Sequence, residues 1–334
     1  MYRAAVIGCG RIGCGFDDDP RRKTVSTHAK AYSLSKNTEL VALCDIDKEK
    51  LARYGQRYSV KTYTDYNEMF SHEDIDLVSI CTLESSHHKI ATAASNVGVK
   101  GIFCEKPIAD TIPHAKEMID VCNKNKTVLL IDHQRRFDPL FSIIKKEIED
   151  DLLGTIYHSN FYYTAGIFNT GTHVIDLLRY FFGDIKWVIG EYSKIKSSKP
   201  KDPNIDGVLK FKNGVTATIR ALNVNDYLIF EQDILGSKGR LGMYNSGFRW
   251  SYQKIANSKY FSGYKELAET SIPFKLPVKR EYMLEAIKHL TKCVEKRAVP
   301  ISSGYDGIKD LQAIFALIRS AKDSSKKIFL TYEK

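Results

Sequence analysis

The side chains of this sequence that could do chemistry gather where short apolar runs end. Gly101-Ile102-Phe103-Cys104 is such a run, and Glu105, Lys106 and Pro107 follow it at once. A run of this kind has the composition of a strand buried on both faces of a parallel sheet. Ligands bind beyond the carboxyl ends of such strands, so the amine of Lys106 is delivered into the crevice where a ligand would lie. Two other run ends carry complementary groups. Residues 3–13 lead an apolar strand into Gly8-Cys9-Gly10-Arg11-Ile12-Gly13. Glycines at these three positions permit a tight turn, the approach of a pyrophosphate to backbone N–H groups, and close packing of the next helix. The run Glu39 to Cys44 ends in Asp45, a carboxylate suited to accept hydrogen bonds from the hydroxyls of an adenosine ribose.

These groups require a frame of alternating strands and helices. Asp76 to Thr82 reads as a third buried strand, followed by Leu83 to His88 and a helix from about Lys89. A helix from about Pro113 to Asn123 and a strand from Val128 to Ile131 come next. This alternation predicts an α/β fold whose N-terminal part, residues 1–132, is a Rossmann-type, doubly wound parallel sheet. The distance from Gly13 to Asp45 exceeds the usual ~20 residues of the fingerprint. The polar segment Cys14 to Thr27, which contains Asp17-Asp18-Asp19-Pro20-Arg21-Arg22-Lys23, accounts for the excess as a loop before a helix near His28 to Leu34. Its position suggests a lid that orders over a ligand.

Asp132 to Pro139 marks the exit from this domain, and the character of the chain shifts after Gly154. Ile156 to Ala165, Trp187 to Lys196, Gly207 to Lys212, Val215 to Leu222, Leu228 to Leu235 and Arg240 to Tyr244 are strand-like, with turns at Asn213-Gly214 and Ser237 to Gly239. The expectation is a C-terminal α/β domain, residues 133–334, with a large open, mostly antiparallel sheet. Two helices close the chain and could dock on either domain.

The composition sets limits. A chain of 334 residues calls for two domains, and its net charge of +10 suits an anionic ligand. The basic residues are scattered, which argues against nucleic acid. No apolar run reaches the ~18 residues of a membrane span, and the chain opens directly on a strand, so neither a span nor a signal peptide is expected. Seven cysteines without C-x-x-C spacing point to a reducing, cytoplasmic setting, and the His and Cys positions show no zinc spacing.

Taken in order, Gly8 to Gly13, Asp45, Thr82 to His87, Glu105-Lys106-Pro107, Arg135 to Pro139 and Gly171 to Asp176 resemble the glucose-fructose oxidoreductase, inositol dehydrogenase and rhizopine-catabolism (Gfo/Idh/MocA) family over nearly the whole chain. The resemblance implies NAD(P)-dependent oxidation or reduction of a sugar or polyol hydroxyl, and a homo-oligomer, dimer or tetramer, formed through the open sheet. It makes Lys106 the catalytic lysine and His173 the acid/base histidine. It places Gly8, Gly10, Arg11, Ile12, Gly13, Asp45, Ile46, Thr82, Leu83, His87, Glu105 and Lys106 around the cofactor. Gln134, Arg135, Tyr163, Asn169 and His173 fall at the substrate. The chemistry is consistent: a carbinol that gives up hydride must also lose its hydroxyl proton, which a neutral imidazole can accept and an ammonium can assist. The roles of Lys106 and His173 could also be exchanged.

Two positions depart from the family. Asn169 stands where relatives such as inositol dehydrogenase carry an aspartate, which leaves His173 without a carboxylate four residues upstream; Leu83 stands where many members have proline. The resemblance also admits two other functions, a dinucleotide-binding sensor without turnover and a glycosidase that uses NAD transiently. Retention of both Lys106 and His173 favours the oxidoreductase. Phe248, Trp250, Tyr252, Tyr260 and Phe261, interleaved with Arg249, Lys254 and Lys259, could stack a nucleobase and meet a diphosphate, or could instead be buried between subunits. The substrate expected is therefore a sugar or sugar derivative, with a nucleotide-linked sugar as the favoured subclass.

Asp45 would repel a 2′-phosphate, and Ile46 occupies the place of a clamping arginine. NAD(H) is accordingly expected to bind more tightly than NADP(H), and calorimetric titration of both cofactors checks this directly.

Overall fold

The computed structural model describes residues 1–332, and the chain divides into two compact units. The first comprises Met1–Pro139 and Val278–Ile308. Its strands are β1 (Tyr2–Ile7), β2 (Thr38–Cys44), β3 (Lys61–Tyr63), β4 (Leu77–Ile80), β5 (Gly101–Cys104) and β6 (Val128–Ile131). Its helices are α1 (His28–Leu34), α2 (Lys48–Tyr58), α3 (Tyr66–His72), α4 (Glu84–Asn96), α5 (Ile112–Lys124) and the single turn α6 (Gln134–Phe137). The sheet is parallel throughout, in the order β3-β2-β1-β4-β5-β6. β4 and β5 are buried at every position because helices cover both faces. Side chains begin these helices: Asp47 accepts from the N–H groups of Glu49 and Lys50 to cap α2, and Thr111 accepts from His114 N–H to cap α5.

The second unit comprises Leu140–Pro277 and the chain from Lys309 onward. After α7 (Pro139–Glu149) come β7 (Ile156–Thr164), a π-helical turn (Ile167–Gly171) and α8 (Thr172–Phe182). There follow β8 (Ile185–Tyr192), β9 (Ile205–Phe211), β10 (Thr216–Leu222), β11 (Phe230–Gly236), β12 (Gly239–Tyr244), β13 (Arg249–Asn257) and β14 (Lys265–Thr270). α9 (Tyr282–Val294) belongs to the first unit and packs on α1, β5 and β6. α10 (Gly304–Lys322) crosses the division, and β15 (Ile328–Phe329) ends the described elements. The nine strands lie in the order β14-β13-β12-β11-β7-β10-β9-β8-β15.

The boundary thus falls after Pro139, seven residues beyond the end expected at residue 132, and 278–308 returns to the first unit. The apolar face of α9 explains the return: Met283, Ala286, Ile287 and Leu290 join Phe103 and Leu130 in one core. The second sheet is mostly antiparallel, as expected, but β7 pairs in parallel with β10. It also carries three strands that the sequence reading did not separate, β13, β14 and β15. Period-two alternation on β10 buries Ala217, Ile219 and Ala221 against a core that includes Val174 and Leu178 of α8 and Ile314 and Leu317 of α10. Tyr157 and Tyr162 of β7 remain exposed.

Tyr163 belongs to this core and is fully buried. Its hydroxyl donates to Ile205 O at 2.7 Å and accepts from Ile205 N–H at 3.1 Å. A tyrosine so engaged has nothing to offer a substrate, which corrects the role expected from sequence. Removing the hydroxyl while keeping the ring strands a buried backbone pair, so Tyr163→Phe is expected to lower the unfolding free energy by about 1–3 kcal/mol. Chemical denaturation checks it, with sugar binding by the folded variant unchanged.

Candidate functional site

The glycine turn is fixed by backbone contacts that differ from one glycine to the next. Gly8 has φ +99°, and a Cβ there would lie 2.6 Å from the Cys81 carbonyl carbon. A Cβ at Gly13 would lie 1.9 Å from Gly8 O. Both positions therefore exclude any other residue on packing grounds. A Cβ at Gly10 would meet no atom within 4 Å. Open space over Gly10 between two close-packed glycines is what a pyrophosphate requires of such a turn. Asp45 completes this end of the site: Cys9 N–H donates to its Oδ2 at 2.6 Å and Asp47 N–H to its Oδ1 at 2.9 Å. Each oxygen keeps a lone pair for a ribose hydroxyl. Ile46 is exposed and adds no charge.

The segment from Cys14 to Thr27 is spliced into the first helix. The N–H groups of His28 and Ala29 donate to the carbonyls of Ile12 and Gly13, so α1 resumes where the glycine turn left off. Asp17 accepts from Ser26 N–H and the Thr27 hydroxyl, while Asp18 accepts from Arg53, Tyr54 and Arg57 of α2. Phe16 lies under the guanidinium groups of Arg11, 4.7 Å away, and Arg22, 3.9 Å away. A cavity of about 530 Å³ opens between this segment and the glycine turn, lined in part by Cys9, Gly10, Arg11, Lys50 and Tyr54. The segment is a fixed wall of that cavity. Its position after the glycine turn leads to the expectation of a lid that orders over a ligand; here internal carboxylates already bind it.

At the end of β4 the sequence-derived contacts divide. Thr82 is half-buried and Leu83 exposed, both at the sheet's carboxyl edge. His87 is buried, with Nδ1 3.0 Å from Pro107 O and Nε2 3.2 Å from Thr82 O. Burial depresses its pKa, so the ring is neutral and, with a single N–H, donates to one of these two carbonyls. These contacts lie at the carboxyl edge of the sheet, where the motif expects the cofactor.

Lys106 follows β5, half-buried, in a cis peptide bond to Pro107. Its backbone N–H donates to Glu105 Oε2 at 3.3 Å. Glu105 points inward, and its Oε1 lies 3.1 Å from His28 Nε2. Asp132, at the end of the neighbouring β6, places Oδ2 3.6 Å from the same nitrogen. On the other side of the ring, His28 Nδ1 lies 2.8 Å from Ser79 Oγ, and Ser79 donates to Tyr32 Oη at 3.0 Å. Burial alone would lower the pKa of His28, but Cys81 and the bonds to Asp132 and Glu105 outweigh it and hold the pKa well above the usual value. The two carboxyl groups carry the larger part, because burial pushes the Cys81 thiol up to about 11 and keeps it neutral. Glu105 is therefore the internal partner of His28, at the strand end where the resemblance places it near the cofactor. Sequence reading missed His28, Ser79 and Asp132. The available signal was that Glu105 and Asp132 end adjacent parallel strands at equivalent positions.

Gln134 and Arg135 lie on α6, half-buried, three and four residues beyond the end of β6. In the second unit, Ala165 and Gly166 have φ of +68° and +86°, and a Cβ on Gly166 would strike the Asp202 carboxylate. Asp202 accepts from the N–H groups of Phe168 at 2.7 Å and Asn169 at 3.0 Å, and Asn204 Oδ1 accepts from Gly166 N–H at 3.1 Å. This bonding fixes the π-helical turn that carries Asn169 and leads into His173 in the first turn of α8. Asn169 and His173 are both half-buried, and Asp176 is buried one turn further on. In the aromatic segment, Trp250 and Tyr252 face the core of the second unit, whereas Phe248, Tyr260 and Phe261 are exposed. Alternation on β13 buries Trp250 and Tyr252, while the exposed aromatics lie outside that strand, so the segment is not one stacking surface.

Residues 2–133 match the model of an oxidoreductase family with an NAD-binding Rossmann fold, and residues 142–242 match the GFO/IDH/MocA C-terminal domain. The chain is 25% identical to a D-apiose dehydrogenase of Paraburkholderia graminis, over 96% of this chain and 88% of that protein. It is 26% identical to a myo-inositol 2-dehydrogenase of Thermotoga maritima, over 96% of each. Among solved structures it resembles the WlbA dehydrogenase from Bordetella pertussis, crystallised with NADH and UDP-GlcNAcA, at a TM-score of 0.81 and 19% identity, covering 100% of this chain and 99% of that one. At that identity the likeness concerns the fold.

The glycine geometry separates binding from folding. Gly10→Ala is expected to keep the melting temperature and weaken NAD binding at least about tenfold by filling the open space. Gly13→Ala should instead prevent stable folding. Thermal melts paired with calorimetry distinguish the two.

Proposed function

We propose a reaction for this chain, which belongs to the Gfo/Idh/MocA family of NAD-binding oxidoreductases: oxidation of a secondary hydroxyl of a sugar or sugar derivative, or the reverse reduction. The observation that carries it is the sheet edge of the first unit, where the open space over Gly10, the oriented Asp45 carboxylate and Lys106 lie beyond the ends of β1, β2 and β5. The names of the related dehydrogenases support a polyhydroxylated substrate.

Bound against the Gly8–Gly13 turn and Asp45, NAD supplies the hydride acceptor. The chain's own groups handle the proton. His173, as a neutral imidazole, accepts the hydroxyl proton, and Lys106, as an ammonium, hydrogen-bonds the same oxygen and stabilises the charge that develops there. Asn169, held by Asp202 through its backbone, presents an amide to a neighbouring hydroxyl. Gln134 and Arg135 extend the substrate contacts. A nucleotide-linked sugar is the favoured subclass because the chain is basic and Arg135 suits a diphosphate. The exposed face of the second sheet, with Tyr157 and Tyr162, is assigned to a homo-oligomer contact, and the reducing cytoplasm to a chain whose seven cysteines are all free.

Lys106→Met and His173→Ala are each expected to lower turnover by orders of magnitude and to change NAD affinity no more than a few-fold, since both act on the reacting hydroxyl. The substrate is found by following NADH absorbance with free polyols, free sugars and UDP-, GDP- or CMP-linked sugars. Turnover of free sugars alone would overturn the nucleotide-linked subclass, and absence of NADH from every panel would overturn the dehydrogenase.

A further inference from the structure

The buried cluster behind Lys106 is not used in that reaction, yet it holds three ionisable side chains in the sheet interior. One nitrogen of His28 and one oxygen each of Glu105 and Asp132 lie within 4.8 Å of one another. All three residues are buried, as are Ser79 and Tyr32 beside them. The hydrogen bonds assign the protons. Ser79 donates to Tyr32, so its oxygen accepts from His28 Nδ1–H, while Nε2–H donates to Glu105 Oε1. Both ring nitrogens then carry protons and the ring is a cation. Asp132 Oδ1 is buried and receives no hydrogen bond. Such an oxygen is costly as part of an anion, and the neutral acid is the less unfavourable form.

We propose that His28, Glu105 and Asp132 are positioning residues for Lys106: the histidine holds Glu105 beneath the Lys106 peptide N–H, and the two carboxyl groups set the negative charge that the lysine amine experiences. The inference rests on the reading of Lys106 as the residue that meets the reacting hydroxyl. Other groups that face the cluster are the Tyr32 hydroxyl from α1, Ser79 and Cys81 from β4 and its end, His87 from α4, Cys104 and Lys106 from β5 and its end, and Tyr282 from α9. Burial and the Glu105 charge push Asp132 up to about 7 despite His28, and His28 with Lys106 holds Glu105 below its usual value against the effect of burial. Near pH 6 the cluster therefore pairs one cation with one anion. Above about pH 7 it gains a second negative charge behind Lys106, which favours the ammonium form.

Amine reactivity of Lys106 tests this in the full chain without substrate. The rate of acetylation of Lys106 is followed against pH by peptide mass spectrometry for wild type, Glu105→Gln and Asp132→Asn, with circular dichroism melts as the control for folding. The half-point of labelling is expected to fall by about one pH unit in Glu105→Gln, roughly a tenfold rise in reactivity at a given pH below it. A smaller fall is expected in Asp132→Asn. Folded variants whose half-points match wild type would overturn the proposal.

If neither variant folds, carbon-13 NMR of wild type decides it. Asp132 is expected to titrate at about pH 7 with a coincident shift at Lys106 Cε, and a Lys106 resonance indifferent to that titration would overturn the proposal. Stability gives a sign check: a raised carboxyl pKa contributes stability that is complete below the ordinary aspartate value and is lost as pH rises through about 7. The melting temperature of wild type should fall relative to Asp132→Asn over that window. Because labelling and NMR use no substrate, they stand apart from the reaction: a coupled Lys106 in a chain whose Lys106→Met variant keeps turnover would refute the catalytic role and leave the coupling intact.

Discussion

The hydrogen bond from His28 to Glu105 is the contact on which the first unit's site depends. A parallel sheet leaves the carboxyl ends of its strands side by side, and each must end in a loop that leads to a helix on one face. Ser79 on β4, Glu105 after β5 and Asp132 after β6 all reach the same imidazole, so one ring from α1 binds three strand ends together. Isolated charges of this kind would be prohibitive in an apolar interior. Opposed charge and nearly complete hydrogen bonding make the arrangement tolerable, and the tolerance extends no further than the proton that Asp132 retains. The result is that Lys106 leaves the sheet from a fixed peptide rather than from a mobile loop.

A comparable device operates in the second unit with a different side chain. Two consecutive residues of positive φ, Ala165 and Gly166, turn the chain off β7, and a π-helical turn follows. Backbone N–H groups there lack ordinary helical partners, and Asp202 supplies two of the missing acceptors. Asp202 also occupies the space that any Cβ at residue 166 would need, which ties the glycine to the carboxylate. Unusual backbone beside Asn169 and His173 is thus held by neighbouring bonds, as strained segments near functional groups must be.

Much of the fold was legible because it follows from local periodicity and punctuation. β4, β5 and β6 are short apolar runs that read as buried strands, and Gly8, Gly10 and Gly13 are glycines for reasons that a motif can state. What escaped was set by tertiary contact. β3 and β15 are too short to show a period, and β13 and β14 carry polar and aromatic residues whose alternation has meaning only once one face is known to be buried. The internal partners of His87 and Glu105 were not legible, because sequence proximity cannot show which way a side chain points. Their burial and partners turn both inward. Tyr163 failed for the same reason, being an apolar core ring with a hydroxyl already in use. His28 carried no local signal, since its partners lie 51, 77 and 104 positions away in the chain.

The segment 14–27 shows why so large an interruption leaves this site intact. A loop inserted within a helix ordinarily breaks the ladder, but here the carbonyls of Ile12 and Gly13 bond to His28 and Ala29 as if the intervening residues were absent. The entropy of closing a longer loop grows only slowly with its length, and Asp17 and Asp18 offset part of it by bonding the segment to its own end and to α2. The register of α1 is what matters, because a displacement by one residue would rotate His28 by about 100° around the helix and away from Glu105. The insertion can therefore vary in length and composition, but its exit is constrained: Thr27 must cap α1 so that the next residue enters the sheet interior.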